Sequence, residues 1–423
     1  MPLRTTPASD QAAGEPAVRW AAARSWLGTA LRLLLAGVWL YAGLSKIGDP
    51  AGSVRAVRAY RLLPEWLAKG VGYGLPFVEI TLAVLLLVGL ATRLAAVLSV
   101  LLLVVFIAGL VSAAARGLRI ECGCFGGGGA LEGGRATGYT GEILRDVGLL
   151  LAAGLLAVWP ASRFAADDAI RSSTPGADTV RVGPRRTKAA QERLAQLVAQ
   201  RRREAERRVL LSSAVCGLLI VAVTGAGIGV QAARVRQPAG PTPQAVSVAD
   251  GIQLGKASAK VTVDLYEDFQ CPVCRQFEAT AAPVLKQYLD AGKVRAHYYV
   301  LNFLDRSSSS LYSSRAANAG YCAADAGVFQ RFHDLLFANQ PPEGSAGLTD
   351  DQLISYGRQA GATSDTFAQC VRSGKYRSFA NEITDTSSQN GIAGTPTVLV
   401  NNTQVQELNG TGLQNAIEAA LGT

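Results

Sequence analysis

The sequence is short of histidine and of charge. Two histidines, His297 and His333, stand in 423 residues, and charged side chains make up 17%. A zinc site built on Cys271 and Cys274 needs two more ligands close by, and neither a second Cys-x-x-Cys nor a histidine pair supplies them. The first 24 residues have no apolar core, which excludes a cleaved signal peptide: the first apolar run comes late and is too long for one. Scarce charge beside 49% apolar residues leans toward a membrane protein. A net charge of +9 would suit nucleic acid. The basic residues instead gather between apolar runs, the pattern of a topology signal.

What the chain has is apolar length. Five stretches near the roughly 20 residues needed to cross a hydrocarbon core are expected to be transmembrane helices: Ser25 to Ile47, Gly70 to Ala91, Leu94 to Ala115, Gly141 to Trp159 and Val209 to Gln231. The fourth is the weakest, because Arg145 and Asp146 interrupt its start. Charge argues for keeping it. Residues 161–208 carry twelve Lys and Arg against six Asp and Glu, which marks a cytosolic segment. With a flexible basic leader (1–24) also inside, an even number of crossings must lie between them, and the fifth crossing exports everything after Gln231. The same count puts the loop 116–140, with Cys122 and Cys124, on the outer side. Arg55, Arg58, Arg61 and Lys69 in the outer loop 48–69 run against the rule. Gln191 to Arg208 reads as a helical extension of the fifth crossing, and Pro238, Pro241 and Pro243 make the following stretch a short, semi-extended tether.

Among seven cysteines, the most informative are in Cys271-Pro272-Val273-Cys274. This stretch follows a β-rich run, Val261 to Tyr266, and leads into a helix-compatible one, Arg275 to Leu289. At a strand-to-helix turn the first cysteine meets free backbone N–H groups and the positive end of the helix dipole, which favour a thiolate. Cys271 is therefore the expected nucleophile. Cys274, one turn on and on the same face, can close a disulfide with it or resolve a mixed disulfide. Redox exchange is the expected chemistry, with a structural disulfide as the other reading. Cys122-Gly123-Cys124, followed by glycines 126–129, can close a small strained ring that is readily reduced; a soft-metal site or two unrelated thiols are the alternatives. Cys216, alone in the fifth apolar run, reads as a packing residue. Cys322 and Cys370 fall on helix-like pieces of a long excursion, about residues 306–390, in which Thr349 and Gln352 suit a capping box. They read as a structural disulfide stapling that insert, with a second catalytic pair as the alternative.

Gly394-Thr395-Pro396-Thr397, ahead of the strand-like Val398 to Val400, completes a pattern that resembles the thioredoxin superfamily, in particular the DsbA-like branch of extracytoplasmic thiol oxidoreductases. The resemblance runs from about Val246 to Leu421 and takes in Glu267-Asp268-Phe269-Gln270 and the run Phe332 to Phe337. It implies an α/β thioredoxin fold with a helical insertion, a cis Thr395–Pro396 bond facing the cysteines, and a substrate groove lined by Pro272, Val273, Thr395 and Pro396. Members often carry a buried acid six residues before the first cysteine. Here that position is Leu265, with Asp264 expected on the other strand face and Glu267 as a weak substitute.

The first four apolar runs resemble the MauE and DoxX family of small redox-associated membrane proteins. The residues concerned are Gly43-Leu44-Ser45-Lys46, Pro76 with Glu79, and Cys122-Gly123-Cys124-Phe125-Gly126, over about Ser25 to Trp159. A carboxylate in mid-helix is costly and marks a functional position by default. Glu79, with Lys46, reads as a proton or quinone site; alternatively Glu79 is an acid paired with Arg32 or kept neutral by a hydrogen bond. Lys46 and Asp146 are expected near the outer face, where pairing or snorkelling explains them. The resemblance implies a quinone as electron acceptor and no covalently bound cofactor. The expected architecture is a four-helix membrane domain (25–160), a basic cytosolic linker (161–208), a fifth transmembrane helix (209–231), a tether (232–245) and a thioredoxin-fold domain (246–423) outside the plasma membrane of a bacterium. Its expected activity is oxidation of thiols on extracytoplasmic proteins by Cys271 and Cys274, with electrons passing through Cys122 and Cys124 to quinone. A reductive or isomerase pathway carrying electrons outward is a second reading, though it needs a cysteine pair within the membrane, where Cys216 stands alone. An assembly factor dedicated to one client protein is the third.

Overall fold

The computed structural model describes residues 15–118, 120–121, 129–130, 139–160, 162, 164–167, 188–235, 240–244 and 246–422; Cys122 and Cys124 lie outside them. Apolar length becomes helix wherever no breaker interrupts it. α1 (Glu15–Ile47) begins inside the segment expected to be a flexible leader. Pro16 suits a first helical turn, and nothing from Ala17 to Leu27 stops the helix. α2 (Pro50–Ala59) is capped by Asp49, whose side chain accepts from Gly52 N at 2.7 Å. α3 (Glu65–Val88) ends on Gly89 at φ 71°, a left-handed conformation that glycine adopts without strain. α4 (Thr92–Ala115) leads into two short strands, β1 (Ile120–Glu121) and β2 (Gly129–Ala130), which pair antiparallel, and it packs along α5 (Tyr139–Val158). α6 (Lys188–Val235) is a single helix of 48 residues, since neither Gly nor Pro separates its charged first half from its apolar second half.

Among the described residues four helical stretches are long and apolar enough to cross a membrane: Arg24–Ile47, Glu65–Val88, Thr92–Ala115 and Leu210–Val235. α5, with Glu142, Arg145 and Asp146 in its first half, is not among them. α1 and α3 approach closely at Gly43, where an added Cβ would fall 2.9 Å from Pro76 O. At one end of the bundle Gln231 donates to Ile47 O at 3.0 Å and Arg116 to Tyr60 O at 2.5 Å. That end therefore gathers α2 and the C-termini of α1, α4 and α6. At the other end the Asp167 carboxylate accepts from Ala91 N and Thr92 N in the α3–α4 turn.

The C-terminal half is built on a six-stranded sheet in the order β3 (Val246–Ser247), β4 (Gly251–Gly255), β6 (Val294–Val300), β5 (Val261–Glu267), β7 (Thr397–Val400), β8 (Thr403–Gln404). β5 and β6 run parallel, joined by α7 (Pro272–Asp290), and every other neighbour is antiparallel. The two central strands bury Val263, Leu265, Val294 and Ala296 between helices, as strands covered on both faces do. Between β6 and β7 the insert supplies α8 (Tyr312–Asp325), α9 (Phe329–Ala338), α10 (Asp350–Ala360), α11 (Asp365–Ser373) and α12 (Arg377–Gln389), before α13 (Gly410–Leu421) closes the chain. Thr349 and Gln352 form the capping box of α10. Cys322 on α8 and Cys370 on α11 are joined by a disulfide.

The two halves meet at the α2 end of the bundle. Arg58 holds Glu65 in its own half and reaches Asp385 on α12 at 2.5 Å, Arg61 donates to Gly391 O, and Arg55 lies over the Phe303 ring. In return Arg306 donates to Ser45 O. The arginines that run against a charge rule for an outer loop are thus the residues that grip the thioredoxin-like half. Beside them Ala393 packs into an apolar cluster with Ala59, Tyr60, Ala113, Leu118, Ile120 and Tyr139. Ala393 precedes Pro396 by three residues, and Ile120 precedes Cys122 by two.

Candidate active site

The cysteine pair stands where β5 turns into α7. Cys271 is the N-cap, its sulfur accepting from Cys274 N at 3.3 Å, and Pro272 opens the helix at a position with no N–H to satisfy. Both cysteines are free thiols and fully buried. The Thr395–Pro396 bond is cis, and Cys271 Sγ lies 3.4 Å from Thr395 O, so the two motifs face each other as the resemblance implies. Pro272 and Val273 are half-buried beside them. The turn before Cys271 is pinned from the insert. Asp268 accepts from Gln270 N, Leu304 N and the Ser313 hydroxyl, and Gln340 donates to Phe269 O and Cys271 O. Burial, opposed by those hydrogen bonds, pushes the Asp268 carboxyl up to about 7.

Behind Cys274 lies a buried group of three. His333 on α9 donates through Nε2 to Glu267 at 3.0 Å, while Nδ1 is 3.4 Å from Asp334, which is exposed. Glu278, one turn beyond Cys274 on α7, completes the group: one donor atom from each of Glu267, Glu278 and His333 lies within 4.8 Å of the others. Their donor types could hold a cation, but shared protons account for the arrangement as well. Burial, then the negative charge of Glu267, drives the Glu278 carboxyl well above its ordinary value. Burial alone would lower His333, but its hydrogen bonds to Asp334 and Glu267 push it up to about 10. Burial, the contact and charge of Cys271, and the charge of Glu267 hold the Cys274 thiol well up.

Glu267 is therefore no weak substitute for the missing acid at Leu265. It caps β5, points into the core and has a histidine and a second acid as partners. Asp264 does face away, pairing with His297 at 3.0 Å. In the sequence Asp268 is marked only by the resemblance, His333 by that and by its failure to make a histidine pair for zinc, and Glu278 and Gln340 by neither. The i, i+4 spacing of Cys274 and Glu278 on one helix was the available signal.

In the membrane half, Glu79 pairs with Lys46 at 2.6 Å and not with Arg32, and both are buried. Glu79 Oε2 has no hydrogen-bond partner among the described residues. Lys46 is thus held by a counter-ion rather than snorkelling, and Asp146 pairs with Arg145. Cys216 is buried at the packed centre of the bundle.

With this geometry in place, comparison with known proteins gives two matches that divide the chain. The family described as methylamine utilisation protein MauE matches residues 24–159, and the one described as thioredoxin matches residues 247–419. The probable disulfide bond formation protein D of Bacillus cereus is 29% identical over 151 residues, covering 35% of this chain and 68% of that protein. The serine/threonine-protein kinase PknE of Mycobacterium tuberculosis is 30% identical over 159 residues; the chain spans only 28% of its length. Among solved structures, the reduced disulfide bond oxidoreductase DsbG of Mycobacterium tuberculosis is 32% identical, covering 42% of this chain and 90% of that one, with a TM-score of 0.38. The chain joins a MauE domain to a thioredoxin-like domain, and the second of these carries Cys271, Cys274 and Pro396.

Proposed function

We propose that this protein oxidises thiols of extracytoplasmic proteins at Cys271 and Cys274 and returns the electrons, through Cys122 and Cys124, to a membrane quinone. The observation that carries the reading is the cluster joining Ala393 to Ile120: it ties the cis-proline loop to the segment that leads directly into Cys122. The orientation follows from charge. Residues 161–208 are basic, and Asp167 among them bonds the α3–α4 turn at the bundle end opposite α2, which supports a cytosolic position for the segment and an external one for both cysteine pairs.

In the first step a client thiolate attacks Cys271 Sγ of the oxidised pair, forming a mixed disulfide and releasing Cys274. Cys274 is enclosed, so the proton it takes up has to arrive through bonded groups. Asp334 meets water, His333 links it to Glu267, and Glu278 stands alongside. A second client thiolate then displaces Cys271, leaving an oxidised client and a dithiol. Cys271 next attacks the Cys122–Cys124 disulfide, Cys274 displaces it, and the oxidised pair is restored with two electrons now on Cys122 and Cys124.

The test is a Cys274→Ser, Cys124→Ser double variant of the full chain treated with diamide, the two-electron oxidant needed to join the two remaining thiols; neither partner cysteine is left to reopen the bond. A Cys271–Cys122 linked peptide is expected by mass spectrometry. Its absence, with Cys271 still reactive toward client thiols, would sink the relay.

A further inference from the structure

A cavity of about 200 Å³ opens at the α2 end of the bundle, walled by α2, α3 and α4 and by Arg306 from the thioredoxin-like half. Its lining is mostly apolar. Leu62, Leu63 and Val105 form one side and are 52%, 40% and 64% exposed, so this side faces what surrounds the bundle. Lys46 also lines it, with Glu79 bonded behind. We propose that this cavity takes the ring of the quinone, with Lys46 donating to a ring carbonyl. The proposal rests on the preceding reading that electrons leave the thiol relay through a membrane carrier.

Charge selects the ligand. Lys46 is neutralised by Glu79, and Arg306 lies 3.5 Å from Asp49, so both cations facing the cavity already have a counter-ion. An anionic headgroup would have to compete with those carboxylates. A neutral ring with carbonyl oxygens only needs a donor, and an ammonium has three N–H groups, of which Glu79 engages one. A lipophilic tail can leave past Leu62, Leu63 and Val105 into hydrocarbon.

Position makes the cavity useful. Tyr60 lines it and also belongs to the cluster that holds Ile120 and Ala393. The ring and the segment leading into Cys122 thus flank one side chain. Cys122 and Cys124 close their disulfide, giving up two electrons and two protons; the quinone takes both and leaves as quinol. Lys46, backed by Glu79, stabilises the negative charge that develops on the ring oxygen during the transfer.

Full-length protein in nanodiscs of phosphatidylethanolamine and phosphatidylglycerol, titrated with menadione, tests this by direct binding. Gly109→Leu fills the cavity from α4, because an added Cβ already meets the Tyr60 ring at 3.5 Å. Ala56→Leu fills it from α2. Each is expected to weaken menadione binding at least about tenfold, while the Cys271–Cys122 cross-link still forms in the trapped background. Unchanged binding in both variants, no binding by the unmodified protein, or displacement by added short-chain phosphatidylglycerol would overturn the cavity as a quinone site. Loss of the cross-link alone would overturn the relay and leave the binding result standing.

Discussion

Each half of the molecule buries an acid against a base, one behind Cys274 and one at the wall of a cavity, and the two are finished differently. In the thioredoxin-like half Glu267 belongs to a chain of contacts that ends at the exposed Asp334. In the membrane half Glu79 has one partner, Lys46, and an oxygen with none among the described residues. The first arrangement suits moving a proton between water and an enclosed thiol. The second suits holding charge steady at the wall of a cavity. Burial alone does not tell these tasks apart; what the last member of each group touches does.

The comparison can be broken in graded ways. Cys271→Ser should abolish client oxidation in a thiol-release assay while leaving both acid groups folded, and measurable turnover would move the chemistry elsewhere. Glu79→Ala strands a buried ammonium and should destabilise the bundle by about 3–5 kcal/mol, read as a lower thermal midpoint in detergent. The Glu79→Leu, Lys46→Met double variant should recover most of that stability. Glu267→Gln keeps the shape of the other group but removes its proton acceptor, so turnover should fall about 10²-fold with the Cys271–Cys122 mixed disulfide accumulating, because Cys274 has to lose its proton to displace it. His333 supplies a pH signature. Its folded value, about 10, lies above its ordinary 6.5, so its contribution to stability is complete below pH 6.5 and is lost as pH rises toward 10. Hydrogen exchange of the α9 amides should quicken over that interval, and His333→Gln should flatten the change. The smallest effect belongs to Asp385→Asn. This pair is partly exposed on the Asp385 side, so about 1 kcal/mol or less is expected, seen as a lower yield of the interdomain cross-link.

How much of this was legible in the residues differs by feature. Cys271, Cys274 and Pro396 announce themselves through local spacing, and the helical insert through its length and its capping box. The pairing of Cys322 with Cys370 could be read because both fall on helices of one insert. The partners of the buried acids could not. His333 lies 66 residues beyond Glu267, and their meeting depends on how α9 packs over the sheet. Lys46 displaces Arg32 as the partner of Glu79 because Gly43 and Pro76 let α1 and α3 meet near the end of the bundle. Arg55, Arg58 and Arg61 looked like an error of topology, since no rule of sequence says that a second domain of the same chain will cover them.

The contact at Ala393 has a kinetic consequence. A client strand laid along Thr395 and Pro396 and the bundle's apolar edge compete for adjoining surface, so loading and recharging have to take turns. Under the proposed relay the enzyme should work in strict alternation, and a large excess of client should slow its own oxidation by keeping Cys271 away from the bundle.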